Sequence, residues 1–255
     1  MIRIVAVIPS HLASVRFPGK ILHPFHGLPM IEHVRRRALL ASGLDGVYVA
    51  TCDEEIAQPI RAYGGDVVLT SDTHRNGTSR VSEAVAGMDC THVLLLQGDE
   101  PLLLPRHVEA MIDAIREDPD NDAWNATAPI NEPDELDRHS FVKCAIDATG
   151  RILYAFRRTP SVAPFGEQQT YIRKILGLIA FRKDYMFDLA GREPSIVERH
   201  ESIEQMRIVE NGGRLVSVPV AESLPSVNEP DEAGIVLDHL RNDAEQAELL
   251  ARILK

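Results

Sequence analysis

The chain has 255 residues, 44% of them hydrophobic, which suffices for one large α/β domain with a sizeable core. Its formal net charge of −11 excludes a general nucleic-acid binder, because phosphate-backbone affinity needs a basic surface, so an anionic ligand must be held by a local basic cluster. Cys52, Cys90 and Cys144 are odd in number and lack metal-ligand spacing, which excludes a disulfide framework and a zinc site.

Ile2, Ile4, Val5, Ala6, Val7 and Ile8 form a near-continuous apolar run, as expected of a strand buried on both faces of a parallel sheet. Residues 29–42 read as a helix, with Ile31, Val34, Ala38 and Ala41 at helical spacing and Gly43 as its stop. A strand at 47–51, a helix at 54–63 ended by Gly64 and Gly65, and a short strand at 67–70 follow. A helix at 78–87, a buried strand at 92–96 (HVLLL) and a helix at 105–117 continue the rhythm, which predicts a parallel sheet with right-handed crossovers. In the later half, strands are expected at 124–128, 142–147, 152–155, 176–181 and 215–220, with antiparallel pairing around the turn at 148–150. Residues 195–211 read as one helix ending at Gly212, and 231 onward as a charged amphipathic helix. No apolar run approaches the roughly 20 residues of a membrane span and no secretory signal precedes the first strand, so a cytoplasmic location without membrane contact is expected.

Three loops carry the candidate chemistry. Residues 9–20 hold two prolines, a glycine and three potential cations, His11, Arg16 and Lys20, at the carboxyl end of the first strand, where open α/β sheets bind ligands. Any one of these cations alone reads as a solvated charge on an ordinary connection. Together, an Arg fork and a Lys point charge beside free backbone N–H groups form a cradle for a polyphosphate. Neither G-x-G-x-x-G nor a P-loop string is present. Gln97, Gly98, Asp99, Glu100 and Pro101 follow the HVLLL strand, so Asp99 faces the same crevice and suits a Mg²⁺ ion that also meets phosphate, although the string alone would also make a simple turn. Residues 74–80, HRNGTSR, read as a helix start capped at Thr78.

The order of residues in IPSHLASVRFPGK resembles the signature loop of the sugar nucleotidyltransferases that use CTP, above all the 3-deoxy-manno-octulosonate (Kdo) cytidylyltransferases. Their pattern is close to I-P-A-R-x-x-S-x-R-x-P-G-K, wrapped around the triphosphate. Ile8, Pro9, Ser14, Arg16, Pro18, Gly19 and Lys20 are kept, and His11 stands for an Arg. HRNGTSR resembles H-x-S-G-T-E/D-R, which implies Asn76, Gly77 and Thr78 at the nucleoside and Arg80 at an anionic substrate group, with Ser79 replacing the acidic residue. The QGD string implies Gln97 at nucleotide and substrate and Asp99 at the metal. Val142 to Arg157 resembles V-K-x-x-x-D-x-x-G-x-x-L-Y-x-x-R, whose arginine faces the sugar acid's carboxylate, and 197–207 resembles L-E-x-x-E-x-L-E-Q-L-R, implying that Glu204 and Gln205 bind sugar hydroxyls.

The departures fall on the chemistry. The family's V-D-x-P-E-D-L begins Val227-Asn228 here, so the second metal aspartate is Asn228. The His and Tyr of H-L-G-I-Y-G-Y become Ile175 and Ile179, and T-D-D or T-D-H becomes Thr51, Cys52, Asp53.

The resemblance implies a doubly wound, mostly parallel, Rossmann-like α/β sheet in one domain over 1–255, with an inserted antiparallel element for sugar binding and dimerisation at about 140–195. It implies a cytidylyltransferase in which Lys20, Arg16 and Asp99 are catalytic, Mg²⁺ is held by Asp99 and Asn228, and the partners are CTP, a sugar-acid acceptor and a second copy of the chain, in lipopolysaccharide biosynthesis. The departures leave open the same chemistry on another acid, or a nucleotide-binding relative with impaired transfer.

Overall fold

A computed structural model describes residues 1–14 and 16–255. The chain forms two compact units, Met1–Ile112 with Leu224–Lys255, and Asp113–Ser223.

The first unit opens with β1 (Ile4–Ser10), whose Ile4, Val5, Ala6, Val7 and Ile8 are all buried, as a strand covered on both faces requires. A short hairpin of β2 (Pro24–Phe25) and β3 (Leu28–Pro29) leads into α1 (Met30–Leu39), followed by β4 (Gly46–Thr51), α2 (Glu54–Ala62), β5 (Asp66–Leu69), α3 (Gly77–Ala84), β6 (His92–Leu96) and α4 (Pro105–Glu117), whose residues from Asp113 on belong to the second unit. β6, β1, β4 and β5 lie side by side and all pairs are parallel. Because the strands run the same way, the loops after β1, β4 and β6 leave from one edge of the sheet. α2 stops where the glycine pair predicts: Gly64 takes φ +74°, and the N–H of Gly65 donates to the carbonyl of Ile60.

The second unit contains β7 (Ala123–Ala128), β8 (Lys143–Ile146), β9 (Ile152–Phe156), α5 (Phe165–Gln168), β10 (Ile172–Arg182), α6 (Lys183–Ala190), α7 (Ile196–Glu201), α8 (Gln205–Glu210) and β11 (Leu215–Pro219). β8 pairs antiparallel with both β9 and β10, and β10 antiparallel with β7, while β11 joins β7 in parallel. Ile130, Leu136, Phe156 and Ile172 form a buried cluster beneath it. The chain then returns to the first unit with α9 (Glu232–Asn242) and α10 (Ala244–Ile253). Among the described residues no helix is long and apolar enough to cross a membrane.

Three expectations are corrected. The helix at 195–211 is two helices, because Ser202 adopts φ 54°, ψ 49° and turns the chain. The helix from 231 is also two: Asp243 is extended, and its side chain accepts from the N–H of Gln246, starting α10 afresh. α3 is capped by Asn76, whose side chain accepts from the N–H of Ser79, so Thr78 lies inside the first turn.

Candidate active site

The loop after β1 is shaped by contacts to its neighbours. Leu12 N–H donates to Asp53 Oδ2 at 2.8 Å, tying the loop to the end of β4, and Ser14 N–H closes a turn on Leu12 O. Gly19, at φ +69°, makes the left-handed turn that starts a short 3-10 segment at Lys20. Beyond it, Phe17, His23, Phe25 and His33 meet edge to face in series, with centroids 5.3, 5.1 and 6.0 Å apart, which anchors the loop's far end on α1. His33 is fully buried, its Nε2 lies 2.7 Å from Phe25 O, and burial pushes its pKa down to about 4.

Lys20 is drawn onto the loop after β6. Its Nζ donates to Asp99 Oδ2 at 2.6 Å and to the carbonyl of Val227 at 3.0 Å, while Val227 N–H donates to Asp99 O at 2.9 Å. Arg16 reaches the next residue, donating to Asn228 Oδ1 at 3.2 Å. Asn228 is held by its own N–H to Glu232 at 2.5 Å and by Nδ2 to Ser226 Oγ at 3.0 Å, so its amide oxygen is turned toward the loop. Gly98 packs closely, since a Cβ there would lie 3.1 Å from Ile21 Cδ1 and that side chain would have to give by a few tenths of an ångström.

These loops enclose a cavity of about 620 Å³. Pro9, His11, Ser14, Arg16 and Lys20 line it from the first loop, Asn76, Gly77 and Arg80 from the second, and Gln97 and Asp99 from the third. Thr78 is buried and does not line it. Arg80 is only 4% exposed; its NH1 donates to Thr70 Oγ1 at 2.7 Å and Ser71 O at 3.2 Å, bracing the end of β5 from the cavity wall. Asp53, His74 and Arg75 also line the cavity, and the signal for Asp53 is its place after β4, as Asp99 follows β6. His74 is bonded to Glu83, and that bond, with one from Ser71 N–H, holds the Glu83 carboxyl below the usual range.

The donor set suits a hard cation. Among the described residues no group of three or more His, Cys, Asp or Glu is placed to hold a metal. Asp99 and Asn228 nevertheless bring one carboxylate and one amide oxygen beside a single main-chain link, and Mg²⁺ commonly takes one or two protein oxygens and completes its shell with water and phosphate. The residues therefore fit a phosphate-bound Mg²⁺.

The residues expected at the acceptor, apart from Arg80 and Gln97, lie in the second unit. Arg157 commits three nitrogens to main-chain carbonyls, Nε to Glu201 at 2.8 Å, NH1 to His139 at 3.0 Å and NH2 to Ser202 at 3.1 Å. It thereby holds the αL turn from which Glu204 and Gln205 begin α8. A cavity of about 340 Å³ beside it is lined by Tyr154, Phe156, Arg157, Arg158 and Glu201. Ile179 is buried in β10.

The cytidylyltransferase family model matches residues 5–218. The chain is 36% identical over 245 residues to a 3-deoxy-manno-octulosonate cytidylyltransferase of Chlorobium limicola, covering 94% of this chain and 98% of that protein. It is 34% identical over 230 residues to one of Escherichia coli, covering 90% and 93%. A solved CMP:2-keto-3-deoxy-manno-octonic acid synthetase complexed with CTP matches with a TM-score of 0.88 at 32% identity, over 94% of this chain and 99% of that one. A cytidylyltransferase from Leptospira borgpetersenii, at 14% identity and a TM-score of 0.66, shares the fold. The expected α/β class, with its parallel sheet and small antiparallel element, agrees with these likenesses, and the chain belongs to the cytidylyltransferase family of nucleotidyltransferases, alongside the 3-deoxy-manno-octulosonate cytidylyltransferases.

Proposed function

We propose that this protein transfers the cytidylyl group of CTP to the 2-hydroxyl of a 2-keto-3-deoxy sugar acid, Kdo or a close relative. A bond forms between that oxygen and the α-phosphorus, the bond to the β-phosphate oxygen breaks, pyrophosphate leaves, and the hydroxyl proton is lost. The observation that carries the reading is the convergence of Lys20, Arg16 and Asp99 in one cavity at the ends of β1 and β6, with Asn228 bonded to Arg16.

Arg16 and Lys20 hold the phosphates and offset the charge that develops on them. Pro9, His11 and Ser14 shape the loop around the triphosphate, while Asn76, Gly77 and Gln97 approach the nucleoside. Asp99 and Asn228 would hold Mg²⁺, which supplies charge neutralisation and acidifies a bound hydroxyl. Glu204 and Gln205 meet the acceptor's hydroxyls, and Arg157 meets its carboxylate with the N–H groups its carbonyl contacts leave over. The protein acts as a homodimer in the cytoplasm, in lipopolysaccharide biosynthesis.

A second reading, the same chemistry on an acid other than Kdo, rests on Ile175 and Ile179, apolar side chains where the family pattern has His and Tyr. Pyrophosphate release with CTP, ATP or GTP across a panel of sugar acids tests both. Release with CTP and Kdo supports the first, release with CTP and another acid alone supports the second, and equal use of the three nucleotides removes the cytidylyl assignment.

A further inference from the structure

β10 and β7 do not pair evenly. Ile175 pairs with Thr127 and Ile179 with Asn125, so a four-residue advance along β10 meets a two-residue advance along β7. The surplus is a bulge at 176–178, and a bulge leaves ladder groups to be satisfied by something else.

Asn125 supplies it. The residue is 0% exposed, and its Nδ2 donates to Leu176 O and to Ala126 O, both at 2.9 Å. Its Oδ1 accepts from Gln205 Nε2 at 3.0 Å. Both ends of this amide are committed: flipping it would set Oδ1 against two carbonyl oxygens and face its NH₂ toward another NH₂. The orientation of Gln205 follows. Nε2 points to Asn125 and Oε1 is turned away, where it takes no hydrogen bond from a described residue. The Ser202 turn, held by Arg157, fixes the start of the helix on which Gln205 sits.

We propose that Asn125 is a positioning residue that sets the Gln205 amide so that its carbonyl oxygen faces the acceptor. The site then selects an acceptor that donates a hydrogen bond there, a hydroxyl or an ammonium, and disfavours one presenting a carbonyl or carboxylate. Ile179, opposite Asn125 across the ladder, is apolar, so the polar group at this point of the sheet comes from β7. The inference rests on the reading above that Gln205 meets the acceptor.

The test uses steady-state kinetics of the full chain. Asn125→Leu keeps the size of the side chain and removes its polar atoms. It should raise the acceptor KM by at least about tenfold, because a pocket whose polar partner is misdirected rejects its ligand, and leave the KM for CTP within about twofold. Gln205→Ala should raise the acceptor KM likewise, and the double variant should be no worse than Gln205→Ala alone, the non-additivity expected of one residue acting through another. If Gln205→Ala leaves the acceptor KM unchanged, the reading of Gln205 as an acceptor ligand fails. If Gln205→Ala raises it and Asn125→Leu does not, or if the two effects multiply, the role of Asn125 alone is overturned. Should Asn125→Leu fail to fold, side-chain amide exchange in the unmodified protein decides: one Gln205 Nε2 proton should exchange about tenfold more slowly than that of an exposed glutamine, and equal rates overturn the inference.

Discussion

Lys20 Nζ lies 2.6 Å from Asp99 Oδ2, with side-chain exposures of 12% and 22%, so the cation proposed for phosphate and the carboxylate proposed for the metal neutralise each other. Arg16 donates a hydrogen bond to the neutral amide oxygen of Asn228. Under the proposed function, nucleotide phosphates would compete for the two cations and free the two oxygen donors, which would couple metal binding to nucleotide binding. Lys20→Ala should weaken CTP binding by about 1.5–3 kcal/mol through loss of a charge-assisted contact, yet strengthen Mn²⁺ binding to the nucleotide-free chain. Calorimetry with CTP and electron paramagnetic resonance with Mn²⁺ alone read the two effects. Unchanged Mn²⁺ affinity would mean that Asp99 is not a metal donor.

Asp99→Asn should abolish turnover and leave the melting temperature within a few degrees of the parent. The amide still accepts from Lys20, and a partly exposed ion pair contributes on the order of 1 kcal/mol or less. Activity at limiting Mg²⁺ and a thermal melt measure both. Wild-type turnover in this variant removes the metal role.

Asn228→Asp adds a carboxylate where the chain now offers an amide. Hard cations are held largely by carboxylate charge, so the Mg²⁺ concentration giving half-maximal activity in saturating CTP should fall, about tenfold if the new oxygen ligates directly. Titration of Mg²⁺ in both forms checks it. An identical Mg²⁺ dependence would place residue 228 away from the metal.

His33 predicts acid sensitivity of the phosphate loop's anchor. Its folded pKa of about 4 lies below the unfolded value of about 6.5, so the unfolded chain binds the extra proton first. The stability contributed by neutral His33 is present above about pH 6.5 and falls as the pH drops toward about 4, a loss approaching about 3 kcal/mol. His33→Gln cannot titrate, so its urea midpoint should fall less between pH 7 and pH 4 than the parent's. Equal declines in the two proteins would exclude His33 as a source.

The alternation of strands and helices in the first unit, and the loops that line its cavity, are legible in the order of residues. Those signals are local: Ile4 to Ile8 are apolar in an unbroken run, Gly64 follows the last turn of α2, and Lys20 and Asp99 each follow a strand in a parallel sheet. The remaining features depend on partners far away in the chain. The helix expected at 195–211 breaks at Ser202, whose carbonyl and that of Glu201 are gripped by Arg157, 44 residues from Glu201 in the chain. Asn228 meets Arg16 across 212 residues, and Asn125 meets Gln205 across 80. A sequence window records propensity and periodicity; it does not record which distant carbonyl a guanidinium or an amide will satisfy, because that partner exists only once the strands have paired and the buried polar groups must find one another.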